Sequence, residues 1–170
     1  MALSKKELNI RLKSIDNLRT KLKSAEKSAA KDIMEMLKTL MKSNPQLLGL
    51  RWNQYTPHFA DGDVCEFSVN GPEFKFVDAV NPQENKDEND EDYYDESWVD
   101  SNDIDKEWFD KKTDILNHKE ISALKKTTKE VYRTFEKLMI MESELQDMFG
   151  DGYQITVTPN GVESEDYDHD

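Results

Sequence analysis

SKKELNIRLKSIDNLRTKLKSAEKSAAKDIMEMLKTLMKSNP, residues 4–45, decides what kind of fold this 170-residue chain can build. The stretch holds no Gly, and its one Pro stands at the end. Ser4-Lys5-Lys6-Glu7 has the spacing of a capping box, with a hydroxyl at the N-cap and a carboxylate three residues on. Leu8, Ile15, Leu22, Ala29 and Met36 then recur every seven residues. Leu18 and Ala25 add a second row, and Leu12, Ile33, Leu37 and Leu40 widen the stripe. Ser43-Asn44-Pro45 stops the run, because Pro lacks the amide a helix needs and biases the residue before it away from helical angles. The spacing predicts a helix over 4–43, with Ser28-Ala29-Ala30 as the place for a bend.

A second helix is expected over 118–149. Asn117-His118-Lys119-Glu120 repeats the capping-box spacing, and Ile121, Thr128, Phe135, Glu142, Phe149 with Leu124, Val131, Leu138, Leu145 supply the seam. Gly150 and Gly152 follow as stop signals. Neither stripe can be buried alone, so the economical arrangement is an antiparallel helical pair of coiled-coil type. Met34, Met36, Met41, Met139, Met141 and Met148 lie near the ends that meet the rest of the fold and read as gap-fillers in a core.

Between the helices the hydrophobic period changes to two. The region 46–80 reads as strands, with Leu48, Leu50, Trp52 and Gln54 on one face. Asn70-Gly71 is the strongest short hairpin signal in the chain. Taken as the turn, it pairs Val64–Val69 with Pro72–Val77 and puts Cys65, Phe67, Val69, Phe74 and Phe76 on one face. Tyr153–Thr158 and Val162–Glu165, joined through Pro159-Asn160-Gly161, form a C-terminal hairpin within the segment 152–170, which ends in an acidic tail. The segment 81–116 is read as an acidic, mobile loop: residues 81–110 hold 13 Asp and Glu against two Lys. Its aromatic residues, Tyr93, Tyr94, Trp98, Trp108 and Phe109, are expected to pin its second half to the protein. The fold class is therefore α+β, one domain over 1–170: two long antiparallel helices packed with a small antiparallel sheet.

Charge is unevenly spread. The whole chain carries −13, yet residues 1–51 hold 12 Lys and Arg against 5 Asp and Glu. A basic first helix lying against the acidic remainder is the plain explanation; a basic face presented to something anionic is the sharper one. The overall sign argues against a general nucleic-acid or anionic-membrane binder. No apolar run approaches the roughly 20 residues of a membrane helix, and no secretory leader is expected. With Cys65 the sole cysteine, no intramolecular disulfide is possible, and a reducing cytoplasm is the simplest setting.

Chemistry-bearing motifs are few. Asp63 with Glu73-Phe74-Lys75 has the residue types of a metal-dependent nuclease, but the hairpin register separates the two carboxylates by roughly 17 Å. A shared metal needs both at ~2–2.5 Å. The acidic loop fails the calcium-loop template, since Asp92 and Trp98 stand where Gly and Glu are required when counting begins at Asp87. His58, His118 and His169 have no zinc-ligand spacing with Cys65 or one another, so no metal site is expected. No nucleotide or cofactor fingerprint occurs, and no cofactor is expected. One cluster concentrates aromatics, amides and acids at a strand–loop junction. Its members, Arg51, Trp52, Gln54, Tyr55, His58, Asp61 and Asp63, are the candidate ligand- or partner-binding residues. There Arg51 would bind an anion, Trp52 and Tyr55 would stack, and Asp61 or Asp63 would do acid–base or metal work. Alternatively Trp52, Tyr55 and Phe59 simply cap the end of the core.

The string RWNQYTPHFADGDVCEFSV, residues 51–69, together with the ending Tyr167-Asp168-His169-Asp170, resembles a family of small tailed-phage and bacterial proteins. Those proteins carry an R-W-x-Q-Y-T-P-x-F-x-D-G-x-x-C-x-F-x-V stretch and a similar acidic end. The resemblance implies a lineage and a cytoplasmic setting, and it carries no reaction. The sequence is thus expected to encode a non-enzymatic interaction protein whose partner is a host or phage protein. The alternatives are a small-ligand binder or enzyme using Arg51–Asp63, and a helical oligomeric scaffold. The chain would be a monomer or a helix-mediated homodimer, with nucleic acid not expected as a partner and no membrane.

Overall fold

The computed structural model describes residues 4–58, 64–78, 80–81 and 97–167. Helix α1 runs from Lys5–Lys42 as one unbroken helix. Its capping box is formed: the Glu7 amide donates to Ser4 Oγ, and the Ser4 amide donates to the Glu7 carboxylate at 2.8 Å. Five strands follow in one antiparallel sheet of order β3-β2-β1-β4-β5. These are β1 (Leu47–Tyr55), β2 (Ser68–Phe76), β3 (Trp98–Asp100), β4 (Tyr153–Val157) and β5 (Val162–Asp166). The short α2 (Lys106–Asp110) follows β3, and α3 (His118–Met139) and α4 (Glu142–Phe149) precede the final hairpin. That hairpin is where the sequence places it.

One face of the sheet carries the core. Leu50 and Trp52 from β1, Phe74 and Phe76 from β2, and Ile155 and Val157 from β4 are buried with Leu124, Val131, Phe135 and Leu138 of α3. From α1 only Ala30, Met34, Leu37 and Met41 join them. The Trp52 ring lies 5.2 Å from Phe135 and meets Phe149 edge-on at 6.2 Å.

Four expectations change. The helix expected over 118–149 breaks at Ile140-Met141, so it is two helices. Met141 takes φ −108° and ψ 45° at the N-cap of α4, a break that lets Leu145 enter the core. The pair of matched long helices is therefore absent: α3 packs against the C-terminal half of α1 alone. The hairpin at Asn70-Gly71 is also absent. Ser68–Phe76 is one strand, and β1 pairs Arg51 with Glu73 but Asn53 with Asn70, so Gly71 and Pro72 together oppose Trp52. This is a β-bulge, and Gly71 supports it at φ 105°. The extra residue inverts parity along β2, which is how Val69 and Phe74 both reach the core. Finally, the segment 81–116 is not loop throughout, because it contributes β3 and α2. Trp108 and Phe109 pack there as expected, with Trp108 4.7 Å from Phe76. Tyr93, Tyr94 and the most acidic stretch lie outside the described residues. On β1 a second irregularity, between Leu47 and Gly49, turns Leu48 outward while Leu47 is buried.

Candidate functional site

Strand β1 distributes the candidate cluster by its period of two. Trp52 and Gln54 point inward and are fully buried. Gln54 is saturated: its carbonyl accepts from Trp52 Nε1 at 3.1 Å, and its amide donates to the Leu145 and Gly150 carbonyls at 3.2 and 2.7 Å. Its backbone carbonyl accepts the Gly152 amide as well. The side chain thus ties the far end of α4 to the middle of the sheet.

Arg51 points to the opposite face. Its Nε donates to the Glu73 carboxylate across the β1–β2 pair, and its guanidinium stands 4.5 Å from the Trp98 ring centroid. Lys75 reaches the same ring at 5.5 Å. Room for the indole comes from Gly49, where an added Cβ would lie 3.1 Å from its ring edge. This outer face has a shallow cleft of about 300 Å³ with Gln154 and Thr156 on its floor and Glu163 and Glu165 at its rim. Both charge signs meet there, and the arginine shares a carboxylate.

At the end of β1 the Tyr55 ring lies 5.5 Å from Tyr167. Thr56 donates twice to Asp151, from its amide at 2.7 Å and its hydroxyl at 2.6 Å. These bonds hold the Asp151 carboxyl below its ordinary pKa, with smaller help from Gln146 and Gly152. His58 and Cys65 line an open hollow of about 500 Å³ beside them. Asp61 and Asp63 lie outside the described residues. The candidates thus divide among the core (Trp52, Gln54), the outer face (Arg51) and the strand end (Tyr55, His58). Among the described residues, no group of three or more His, Cys, Asp or Glu is placed to hold a metal. Glu73 and Lys75, half of the nuclease-like set, are occupied by Arg51 and Trp98.

The largest unpartnered feature is one the sequence reading assigned to the interior. From Lys5 to Ala29 every residue of α1 is exposed except the half-buried Glu26. At ~1.5 Å per residue this arm is about 37 Å long. Leu8, Leu12, Ile15, Leu18 and Leu22 are 45–62% exposed along it. At 100° per residue these five fall within a sector of about 120°. Eight Lys and Arg against three Asp and Glu surround the sector. Among the described residues, the plain expectation that this basic segment lies against the acidic remainder is met at its base alone. There Lys23 bonds Asp147 at 2.7 Å, raising the pKa of the lysine and lowering that of the aspartate. The signal for a free arm was present as length: the stripe runs about 25 residues beyond what a five-stranded sheet can cover.

No helix among the described residues is long and apolar enough to cross a membrane. No protein-family model, curated protein or solved structure matches the chain.

Proposed function

We propose that this is a non-enzymatic interaction protein of a bacterial or phage cytoplasm that engages a macromolecular partner through its helical arm. The observation that carries the reading is the uncovered stripe from Leu8 to Leu22. In a protein a helix draws most of its stability from burying an apolar face. Here the docked turns from Ala30 to Met41 nucleate the arm, and its cap is complete, so it is held ready with that face open. The packed sheet and α3 serve as its mount.

A photo-crosslinking residue at Leu18 tests this in cells, with the same residue at Ser164, on the exposed edge strand β5, as the control. Adducts to a macromolecule at Leu18 and none at Ser164 support the arm as the docking element. Equal or absent adducts at both positions defeat the reading. Strand alternation sets Arg51 and Trp52 on opposite faces, so a small-ligand site at Arg51–Asp63 could use only one of the two.

A further inference from the structure

The five large apolar residues of the exposed stripe read the same in both directions. From Leu8 to Leu12, Ile15, Leu18 and Leu22 the steps are four, three, three and four, symmetric about Ile15. We infer that the occupant of this face is a second copy of the chain, its arm antiparallel and its two-fold axis at Ile15. The inference rests on the proposed role of the arm and names its partner. In that register residue i faces residue 30 − i of the other copy. Leu8 then meets Leu22, Leu12 meets Leu18, and Ile15 meets Ile15 across the axis. An isologous interface has to be self-complementary in this way.

Charge selects the antiparallel sense. Residues 52–170 carry 31 Asp and Glu against 11 Lys and Arg. Parallel arms would bring two such bodies together at one end, whereas antiparallel arms hold them apart. The antiparallel register also carries Lys5 and Lys6 to the level of Ala25 and Ser24 of the second copy. That is beside the Lys23–Asp147 contact where α4 crosses the arm. Helix α4 holds Glu142, Glu144 and Asp147 and no Lys or Arg, so each basic tip meets an acidic helix. A basic helix with leucines on its apolar face could also lie on a membrane surface, but the net charge of −13 opposes an anionic one. The contact strip is roughly 30 by 10 Å on each arm. Two arms together bury about 600 Å², below the ~1,200 Å² at which stable specific interfaces begin, so the association is weak, with a dissociation constant on the order of 1–100 µM.

The test is sedimentation of the full chain from about 1 to 300 µM, a range set to bracket that constant. The expected result is a mass rising from 19.8 kDa toward twice that value. Ile15→Lys puts two charges on the axis and should hold the protein at the single-chain mass. Ile10→Lys, on the opposite side of the arm, should leave the rise unchanged, and far-UV circular dichroism checks that both variants keep the helix. A chain that stays monomeric throughout, or a rise that Ile15→Lys does not touch, overturns the inference. Direction is read from oxidation on a Cys65→Ser background. Leu8→Cys should not cross-link to itself but should cross-link to Leu22→Cys. A Leu8→Cys homodimer overturns the antiparallel sense. A monomer in solution that still gives adducts at Leu18 in cells rejects the second copy and keeps the arm. A monomer without adducts rejects both.

Discussion

Three side chains show how local polar satisfaction shapes this protein. Gln54 is fully buried with both ends of its amide engaged, joining an indole on its own strand to two carbonyls from α4. Gln54→Leu keeps the volume but strands those three groups without water. The variant should lose about 2–4 kcal/mol in urea unfolding, at the scale of several unsatisfied buried groups. Thr128 is the converse. Its Oγ1 is buried without a protein partner, so Thr128→Val should gain about 1 kcal/mol and raise the melting temperature by about 2–4 °C. Asp151 stands between them. Its carboxyl is held below the ordinary range by the Thr56 bonds, so the stabilisation is full above the unfolded pKa near 3.8 and is lost as pH falls through the folded value. Asp151→Asn should flatten the acid limb of a stability–pH profile below about pH 5. Being an exposed group, it should cost less than about 1 kcal/mol at pH 7. The period of two sets Gln54 on the face of Leu50 and Trp52, but it does not separate a core amide from a ligand group there. An amide two residues from a tryptophan suits either role, and only the position of α4 decides.

At the scale of elements, the bulge in β2 is the most instructive feature. The sequence groups Val69, Phe74 and Phe76 on one face correctly, yet for the wrong cause. A hairpin at Asn70-Gly71 and a bulge at Gly71-Pro72 both invert the alternation at the same place, so the hydrophobic pattern cannot tell them apart. What separates them is the partner: β1 lies along the whole of β2, and a hairpin would have needed residues 64–67 as a strand. Gly71→Ala tests the bulge, since a Cβ there would sit at φ 105° and 3.3 Å from Trp52. It should cost about 1–3 kcal/mol as backbone strain, whereas Gly161→Ala, with open space around it, should cost little in the same assay. Both capping boxes, the end of α1 at Ser43 and the closing hairpin were legible, because each is set by residues within a few positions of one another. The break at Ile140-Met141 was not. The seam continues through it, and the helix is interrupted so that Leu145 can reach the core, a tertiary demand that leaves no local mark.

For the molecule as a whole, the division between a packed body and an exposed arm governs behaviour. Heptad spacing in α1 was read as an internal seam because spacing reports that a face must be covered, and not by what. The body takes the last third of that face, from Ala30 on, and leaves the rest. Removing residues 4–22 should therefore leave the unfolding midpoint of the body within about 2 °C, as expected for residues that contribute no core contacts, while the helical signal falls in proportion to the residues removed. The same division has an optical consequence. The first aromatic residue of the chain is Trp52, so α1 contributes nothing to near-ultraviolet absorption or emission. Trp52 is enclosed by Phe135 and Phe149, Trp98 has Arg51 and Lys75 at 4.5 and 5.5 Å from its ring centroid, and Trp108 has Lys112 over its ring at 4.5 Å. Fluorescence therefore watches the body in three surroundings and is blind to the arm, whereas far-ultraviolet dichroism sees both. The difference between two melting curves recorded on one unlabelled sample is a direct record of the arm.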